Sequence, residues 1–489
     1  MVVKIISTIF AFVFISLQSL NAVASAYIGT QDKQLHYDVQ TLVDWGYLNA
    51  TTNTFPIPWK GVATEMKDLD PRGMAFRPRQ AYLRLNHYLS MNKQLKSRRF
   101  INLQAASEDV RFRSFDDGVE DTGKASITNE FYSGRWSGQA TVNFSSGGEK
   151  SLDNSFIAYQ FDNWNLRLGS VDQWWGPGQS SSLIMSNNTR PIKAIALSRS
   201  SNTASKSPWL SWLGPWYLTA QLGQLNEDRA IPDAKIIMNR FSARPFKGFE
   251  FGVSWTAMWG GEGQPSGLKT LFEVLTFDAI CEAEDGDCSE SGKSKRGNHL
   301  AGFDLMYTHM LFDRPVSVYV QKVGEDAINY YKITDAATLF GVSTYYKGAK
   351  IFFETSDTNV ACAGGDSTVT NCYYEHGDYQ SGYRMYGRTF GSTFDTDAKQ
   401  YTLGANIRFE SGEVAEVYVR SAKLNEDGQR PSPVLTTDVS EELIEISGFY
   451  QKPVGDWLLK AGGSVATRSF ENVDDEVDAL IYVKAQIAF

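Results

Sequence analysis

The feature that most constrains this chain is a change in its hydrophobic period near residue 100. From there to the end, apolar and polar residues alternate; one face of residues 401–409, for example, carries Tyr401, Leu403, Ala405, Ile407 and Phe409. A period of two is that of a β-strand with two unlike faces. Nothing after Ala26 approaches the roughly 18 consecutive apolar residues of a membrane-crossing helix. Most of the chain is therefore predicted to be β-structure.

The two ends of the chain predict that these strands cross a membrane. The start has a positive charge at Lys4, an apolar run over 5–20 and the small residues Ala24 and Ala26. This is the layout of a secretory signal peptide, with cleavage after Ala26 or Ala24. The last strand ends in Phe489 with apolar residues at every second position before it, which resembles the assembly signal of outer-membrane barrels. A barrel is favoured over a soluble sandwich.

Counting strands supports a closed barrel. The alternation divides into eighteen strands, which is an even number, as expected for a bacterial barrel. Without the strand predicted at 191–199 the number would be odd. With both chain ends in the periplasm, the long connections fall on the cell exterior; they are 109–124, 172–190, 259–298, 357–398 and 423–440. The prediction is an all-β transmembrane protein of about 18 antiparallel strands in the outer membrane of a Gram-negative bacterium.

The segment before the barrel has a different period. Leu35, Val39 and Leu42 recur at helical spacing up to Gly46, a second apolar run follows Pro78, and a short helix is predicted between them over Val62 to Leu69. We expect a small α-helical periplasmic module that packs against the rest. The predicted domains are the signal peptide (1–26), this module (27–98) and the barrel with long extracellular loops (99–489).

Charge and cysteine spacing exclude some classes of function. The net charge of −9 argues against a nucleic-acid partner, which would need a basic face. In an exported chain, two close cysteine pairs predict two loop disulfides, Cys281 to Cys288 and Cys362 to Cys372. A zinc site made of all four thiolates is the alternative, but neither pair has CxxC spacing. Neither a metal nor a cofactor is predicted.

The sequence offers no catalytic constellation. Its histidines show no HxH or HExxH pattern and occupy positions 36, 87, 299, 309 and 376. A structural role is predicted for each, and the protein is predicted not to be an enzyme. A lipid hydrolase whose Ser and His meet only in space is the minor alternative.

Two stretches combine aromatic rings with amide and guanidinium groups. They are DQWWGPG at 172–178 with SNNTRP at 186–191, and the run from Tyr373 to Arg388. A sugar ring stacks on aromatic faces, and two arginines can hold a uronic-acid carboxylate. The alternative is structural: aromatic residues at the membrane boundary, and a loop folded into the barrel mouth whose arginines meet lumenal acids. The candidate polysaccharide-binding residues are Trp174, Trp175, Asn187, Asn188, Arg190, Tyr379, Tyr383, Arg384, Tyr386 and Arg388.

At these residues the chain resembles the Wzi family of outer-membrane lectins that help attach capsular polysaccharide. The resemblance also rests on Pro56-Ile57-Pro58-Trp59 and Gly214-Pro215-Trp216 and covers nearly the whole mature chain. It implies an 18-stranded barrel, a periplasmic helical bundle and capsule retention without catalysis. Such proteins often continue after this run with a Gly-His pair, whereas here Gly391 precedes Ser392, so a role carried by that histidine is in doubt.

The expected partners follow from this interpretation. They are capsular or exopolysaccharide, outer-membrane lipid and lipopolysaccharide, and the polysaccharide export machinery, with the protein itself a monomer. The alternative function is a passive pore for acidic oligosaccharides. Its support is a set of basic residues predicted to face inward, namely Arg167, Arg408, Arg420 and Lys484.

Overall fold

The protein folds as a closed antiparallel β-barrel whose first and last strands pair with each other. The computed structural model describes residues 26–94, 97–116, 119–205, 207–276, 297–328, 332–361, 370–395, 397–428, 439–471 and 473–489. Eighteen strands form the wall, which confirms the predicted fold. The strand predicted at 191–199 is present as Lys193–Arg199 and pairs with both of its neighbours, so the number of wall strands is even.

The strands run in chain order around the wall. They are β1 (Ser97–Ala106), β2 (Gly123–Ser133), β3 (Trp136–Ser145), β4 (Phe156–Phe161), β5 (Trp164–Ser170), β6 (Lys193–Arg199), β7 (Trp216–Gln224), β8 (Lys235–Phe246), β9 (Phe249–Trp259), β10 (Asn298–Leu311), β11 (Arg314–Ile328), β12 (Lys332–Tyr346), β13 (Ala349–Asp357), β14 (Ala398–Arg408), β15 (Val414–Leu424), β16 (Glu441–Val454), β17 (Trp457–Phe470) and β18 (Val473–Ala488). A two-residue piece, Lys150–Ser151, also pairs with β3.

The outer face of the wall is apolar. In β16, Ile444 and Ile446 are exposed, whereas Leu443, Glu445 and Ser447 on the inner face are buried. The same alternation recurs around the barrel, because successive side chains of a strand point to opposite faces. A closed wall that satisfies its backbone groups by strand pairing and shows apolar side chains outward is suited to lipid. The barrel therefore spans a membrane by its strands.

Three helices precede the wall: α1 (Gln34–Asp44), α2 (Trp59–Glu65) and α3 (Phe76–Gln94). Their apolar faces form one cluster that includes Leu35, Leu42 and Leu85. The third helix begins two residues before Pro78, not after it. Proline fits there because the first-turn backbone N–H groups have no partner within the helix. The middle helix likewise begins at Trp59, earlier than its predicted start at Val62.

The helical module lies inside the barrel, at the end where tight turns such as Lys347-Gly348 join consecutive strands. Arg77 donates to the backbone oxygens of Gly348 (2.8 Å) and Asn406 (3.0 Å), and Arg408 donates to Asp38 (3.0 Å). A further contact to the wall joins the hydroxyl of Tyr345 on β12 to the carboxylate of Asp44 (2.8 Å). Polar side chains on the inner wall therefore hold the module in the lumen.

We expect His36 to make the docking of the helical module in the lumen sensitive to pH. Its imidazole lies against Phe115 (ring centroids 4.7 Å apart) and Phe55 (5.9 Å), and its Nδ1 has no hydrogen-bond partner among the described residues. Burial, with a smaller effect from the Lys350 ammonium, lowers the pKa of His36 to about 3. An undocked histidine has a pKa near 6.5, so the undocked state binds more protons between these values. Docking is stabilised above pH 6.5 and loses about 1.4 kcal/mol per pH unit as pH falls toward 3.

We expect the exchange of amide hydrogens in residues 26–94 to accelerate between pH 7 and pH 4, after correction for intrinsic exchange rates. His36→Phe fits among aromatic rings and removes the titrating group, so its protection should fall less over the same range. Equal pH dependence in the two proteins would show that His36 is not the responsible group. Hydrogen exchange followed by mass spectrometry provides the measurement.

Some predictions fall outside the described residues. The signal peptide is one of them, because residues 1–25 are not described. Cys281, Cys288 and Cys362 are likewise outside, so both disulfide pairings stay predictions. Among the residues that are described, no helix is long and apolar enough to cross a membrane.

Candidate functional site

Two loop segments fold inward and fill the mouth of the barrel, the end opposite the tight turns. We call residues 171–192, between β5 and β6, the first inserted segment, and residues 370–395, between β13 and β14, the second inserted segment. Their apolar side chains form a buried cluster with the inner wall, which includes Trp175, Leu183, Tyr383 and Phe390 from the segments and Leu339 from β12. The candidate residues of the sequence analysis all belong to these two segments.

The side chains of Glu354 and Gln321 on the inner wall bind the first inserted segment. The carboxylate of Glu354 on β13 accepts hydrogen bonds from the backbone of Gln179 and Ser180, from the Ser180 hydroxyl and from the Tyr319 hydroxyl. The amide of Gln321 on β11 donates to the Trp175 carbonyl (2.8 Å) and accepts from the Leu183 backbone N–H (2.9 Å). Buried backbone groups of an irregular segment are satisfied in this way.

The two tryptophans of this segment face the protein interior. Trp174 and Trp175 pair as a short antiparallel ladder with Phe55 and Thr54 of the helical module. The Trp174 indole donates to the carbonyl of Gly178 (2.8 Å), and both rings are buried. The module and the first inserted segment thus meet within the lumen, and neither ring is available to stack on an external sugar.

Tyrosines fasten the second inserted segment from within. The hydroxyls of Tyr373 and Tyr374 donate to the same carbonyl, that of Leu183, at 2.9 and 2.6 Å. The Tyr379 hydroxyl donates to the Gly260 carbonyl (3.1 Å), and Tyr383 shares a hydrogen bond with Thr256 on β9 (2.7 Å). Burial raises the pKa of Tyr379 and Tyr383 above the ordinary value, so both stay protonated donors.

Arg384 is the charged centre of the second segment. Its guanidinium pairs with the carboxylates of Asp395 (2.8 Å) and Glu375 (2.7 Å), and its side chain is almost fully buried. Burial alone would lower the pKa of Arg384, but the two carboxylates raise it above the ordinary value. These contacts match the structural alternative of the sequence analysis, in which an arginine of the loop meets acids of the protein itself.

The segment then forms a hairpin that reaches the surface. Arg384 and Met385 pair with Thr389 and Arg388, and the two residues at the turn have positive φ, 51° at Tyr386 and 75° at Gly387. This is the conformation of a tight hairpin turn of type I′, which glycine adopts without strain. The turn leaves the Tyr386 side chain 45% exposed. Among the candidate aromatic residues, Tyr386 is the one that the fold presents outward.

Arg190 lies beside this ring. Its guanidinium carbon is 4.3 Å from the centre of the Tyr386 ring, and it forms ion pairs with Asp153 (2.5 Å) and Glu149. A guanidinium over an aromatic face is attracted by the ring quadrupole. The partly exposed Arg190 therefore holds the Tyr386 ring in its orientation at the surface, and the two carboxylates hold Arg190 in place.

Arg388 differs from its neighbours because its partners carry no negative charge. It donates to the carbonyl of Asn188 (2.9 Å), to the Asn188 amide oxygen (3.0 Å), and to the backbone oxygens of Val110 (3.2 Å) and Arg111. Within the described part of the chain it makes no ion pair. Burial and the nearby Arg113 lower the pKa of Arg388 to about 9. A cation that makes no ion pair among the described residues and is partly exposed at the mouth is suited to an external anion.

The structure thus separates the candidates by depth. Four candidates reach the outer end of the mouth, namely Asn187, Arg190, Tyr386 and Arg388. A deeper layer supports them and consists of Trp174, Trp175, Asn188, Tyr379, Tyr383 and Arg384. The sequence analysis missed Arg229, which donates to the carbonyls of Arg384 (3.0 Å) and Gly382 (3.2 Å). No local pattern marks Arg229, because it lies on a different loop from the hairpin that it holds.

A polar cavity lies beside the helical module. A cavity of about 230 Å³ is lined by lysines and acids, among them Lys33, Asp116, Lys460 and Lys484. Lys460 pairs with Asp116 (3.2 Å) there. Among the described residues, no cluster of three or more His, Cys, Asp or Glu side chains is arranged to hold a metal ion.

The comparisons with known proteins agree with this architecture. A family model described as capsule assembly protein Wzi matches residues 92–480. The chain belongs to this family. A protein from the cps region of Klebsiella pneumoniae, described as an uncharacterized 55.8 kDa protein, is 29% identical over 327 residues. The matched stretch is 64% of this chain and 61% of the length of that protein.

A solved structure of Wzi extends the comparison. That protein, from Escherichia coli, is described as an outer-membrane protein involved in group 1 capsule assembly and as a carbohydrate-binding β-barrel. It superposes with a TM-score of 0.79 at 24% identity and covers 96% of this chain and 100% of its own. The fold is therefore shared over the whole length. The Wzi-family barrel described here is an outer-membrane protein, as its lipid-facing wall requires.

Proposed function

We propose that this Wzi-family barrel binds capsular or exopolysaccharide at its closed mouth and retains the polymer on the cell surface. The observation that carries the proposal is the surface formed by Arg190, Tyr386 and Arg388, in a chain of a capsule assembly family. We call these three residues the mouth surface. The carbohydrate binding described for the Escherichia coli relative supports the same interpretation.

The chemistry of the mouth surface favours an acidic polymer. The exposed ring of Tyr386 can stack on the C–H face of a pyranose, and Arg388 can pair with a carboxylate. A charge-assisted hydrogen bond contributes about 1.5–3 kcal/mol when shielded and much less when exposed. A long polymer presents the same group many times, so weak contacts add through avidity.

The protein acts by binding in this proposal, without a catalytic step. The filled lumen leaves little support for the alternative of a passive pore. Three of its four basic residues are engaged within the protein: Arg167 with Gln221, Arg408 with Asp38, and Arg420 with Glu445. The fourth, Lys484, lines the polar cavity beside the module.

Deleting the gene is expected to leave polymer synthesis intact and to release polysaccharide into the medium. Cell-bound and released polysaccharide are measured in the deletion strain and after complementation. Unchanged retention, together with altered uptake of small acidic sugars, would favour the pore instead.

Complementation with Tyr386→Ala should restore retention only in part. The matched control is Tyr401→Ala, because Tyr401 is also 45% exposed but lies on the lipid-facing wall. Both proteins are compared at equal surface amounts. Full retention by Tyr386→Ala would exclude the ring as a contact for the polymer.

A further inference from the structure

A short helix lies on the outside of the barrel wall. Helix α4 (Leu268–Leu275) belongs to the connection between β9 and β10. Its side chains Leu271 and Val274 pack in one cluster with Ile237, Ala257 and Trp259. The outward positions of β9 are its odd-numbered residues, since Glu250, Ser254 and Thr256 face the filled lumen. The helix therefore covers the outer face of β8 and β9 near the mouth.

A series of cross-strand partners shows where along the strands this helix lies. Ile195, Leu222, Ile237 and Ala257 are consecutive cross-strand partners on β6, β7, β8 and β9. Ile195 and Leu222 are exposed on the outer face, as lipid-facing residues are, whereas Ile237 and Ala257 are buried beside α4. The helix thus occupies the layer that lipid occupies next to the neighbouring strands.

The helix exposes a second apolar stripe. Leu268, Phe272 and Leu275 follow helical spacing next to the wall-facing stripe, and Phe272 is 65% exposed. A third stripe is polar: the Lys269 side chain is 90% exposed and lies 3.9 Å from Glu273. A helix with one face on protein, one apolar face open and one charged face has the pattern of a segment at a membrane interface.

We propose that α4 is an interfacial anchor whose second apolar stripe inserts among the acyl chains of the outer membrane's external leaflet. The partner is lipid and not another protein, because the stripe continues the lipid-facing surface of β6 and β7. The anchor holds residues 260–276, the described first part of the connection between β9 and β10, against the wall. That connection begins at Gly260, whose carbonyl accepts a hydrogen bond from the Tyr379 hydroxyl. The same connection therefore contacts both the lipid and the second inserted segment.

The proposal is tested by lipid quenching of a fluorescent label. Phe272→Cys and Lys269→Cys are each labelled with an environment-sensitive dye and reconstituted as the full chain in phosphatidylcholine vesicles. Some of the lipid carries a nitroxide on its acyl chain. The unsubstituted chain, taken through the same labelling, is the blank. Heat-modifiable migration on a gel verifies that each barrel is folded.

The label at position 272 is expected to emit at shorter wavelength and to be quenched several-fold more strongly than the label at 269. The two positions lie on the same turn of the same helix, so the difference reports the face and not the depth of the loop. Equal quenching at both positions, or no quenching at 272, would overturn the proposal.

Discussion

Replacing Glu354 with alanine is expected to make the barrel conduct ions far better than the parent protein. Glu354 accepts four hydrogen bonds, three from the first inserted segment and one from Tyr319 (2.7 Å). Each buried donor left without an acceptor costs about 1–3 kcal/mol. The segment should therefore detach from β13, whereas the wall persists because its strands are closed by their own hydrogen bonds.

Single-channel recording in planar lipid bilayers provides the measurement. Glu410→Ala, in an exposed turn, removes the same functional group without touching the lumen and should conduct like the parent. Glu354→Gln keeps one oxygen acceptor and should lie between the two. Parent-like conductance in a correctly folded Glu354→Ala barrel would show that other contacts, including those of the helical module in the lumen, keep the barrel closed.

Replacing Arg384 with alanine is expected to reduce polymer retention nearly as much as deletion of the protein. Loss of the guanidinium removes the cation that the buried Asp395 shares with the partly exposed Glu375. Removing one partner of a buried ion pair typically costs about 3–5 kcal/mol. The hairpin that presents Tyr386 begins at Arg384. Both the hairpin and the Tyr386 ring should therefore lose their positions.

The effect of Arg384 is indirect in this interpretation, and the design separates it from direct binding. Arg384→Ala should increase proteolysis within residues 370–395, whereas Arg388→Ala should weaken retention with a smaller change in proteolysis, because its partners are mainly backbone carbonyls. Arg384→Lys keeps the charge but not the forked geometry and should restore retention partly. A retention defect in Arg384→Ala with unchanged proteolysis would indicate that Arg384 contacts the polymer itself.

The sequence predicted the wall well because its information is local. Alternation in β14, for example, assigns Tyr401 and Leu403 to the outer face and Thr402 to the inner one without knowledge of any distant residue. The helix boundaries were less accurate, since α3 begins before Pro78. Proline is compatible with either the first turn of a helix or the position before it, and local pattern does not distinguish the two.

The candidate site was only partly predictable. The residue types of the two inserted segments were recognised, but their depth was not. Trp175 and Tyr386 are both aromatic residues next to glycine in a long loop. One ends in the lumen against Thr54 and the other at the tip of a hairpin beside Arg190. Such a difference depends on contacts between segments that lie far apart in the chain.

By itself, the sequence determined the class of the protein: period-two alternation predicts a membrane barrel of eighteen strands, because a strand's faces follow directly from residue order. The tertiary structure alone decided what fills that barrel. Glu354 gathers donors from a segment 174 residues away, and Arg408 binds a helix 370 residues away. Burial and charge pairing of this kind arise only when distant segments meet, so they decide which arginine supports the mouth surface and which one reaches that surface.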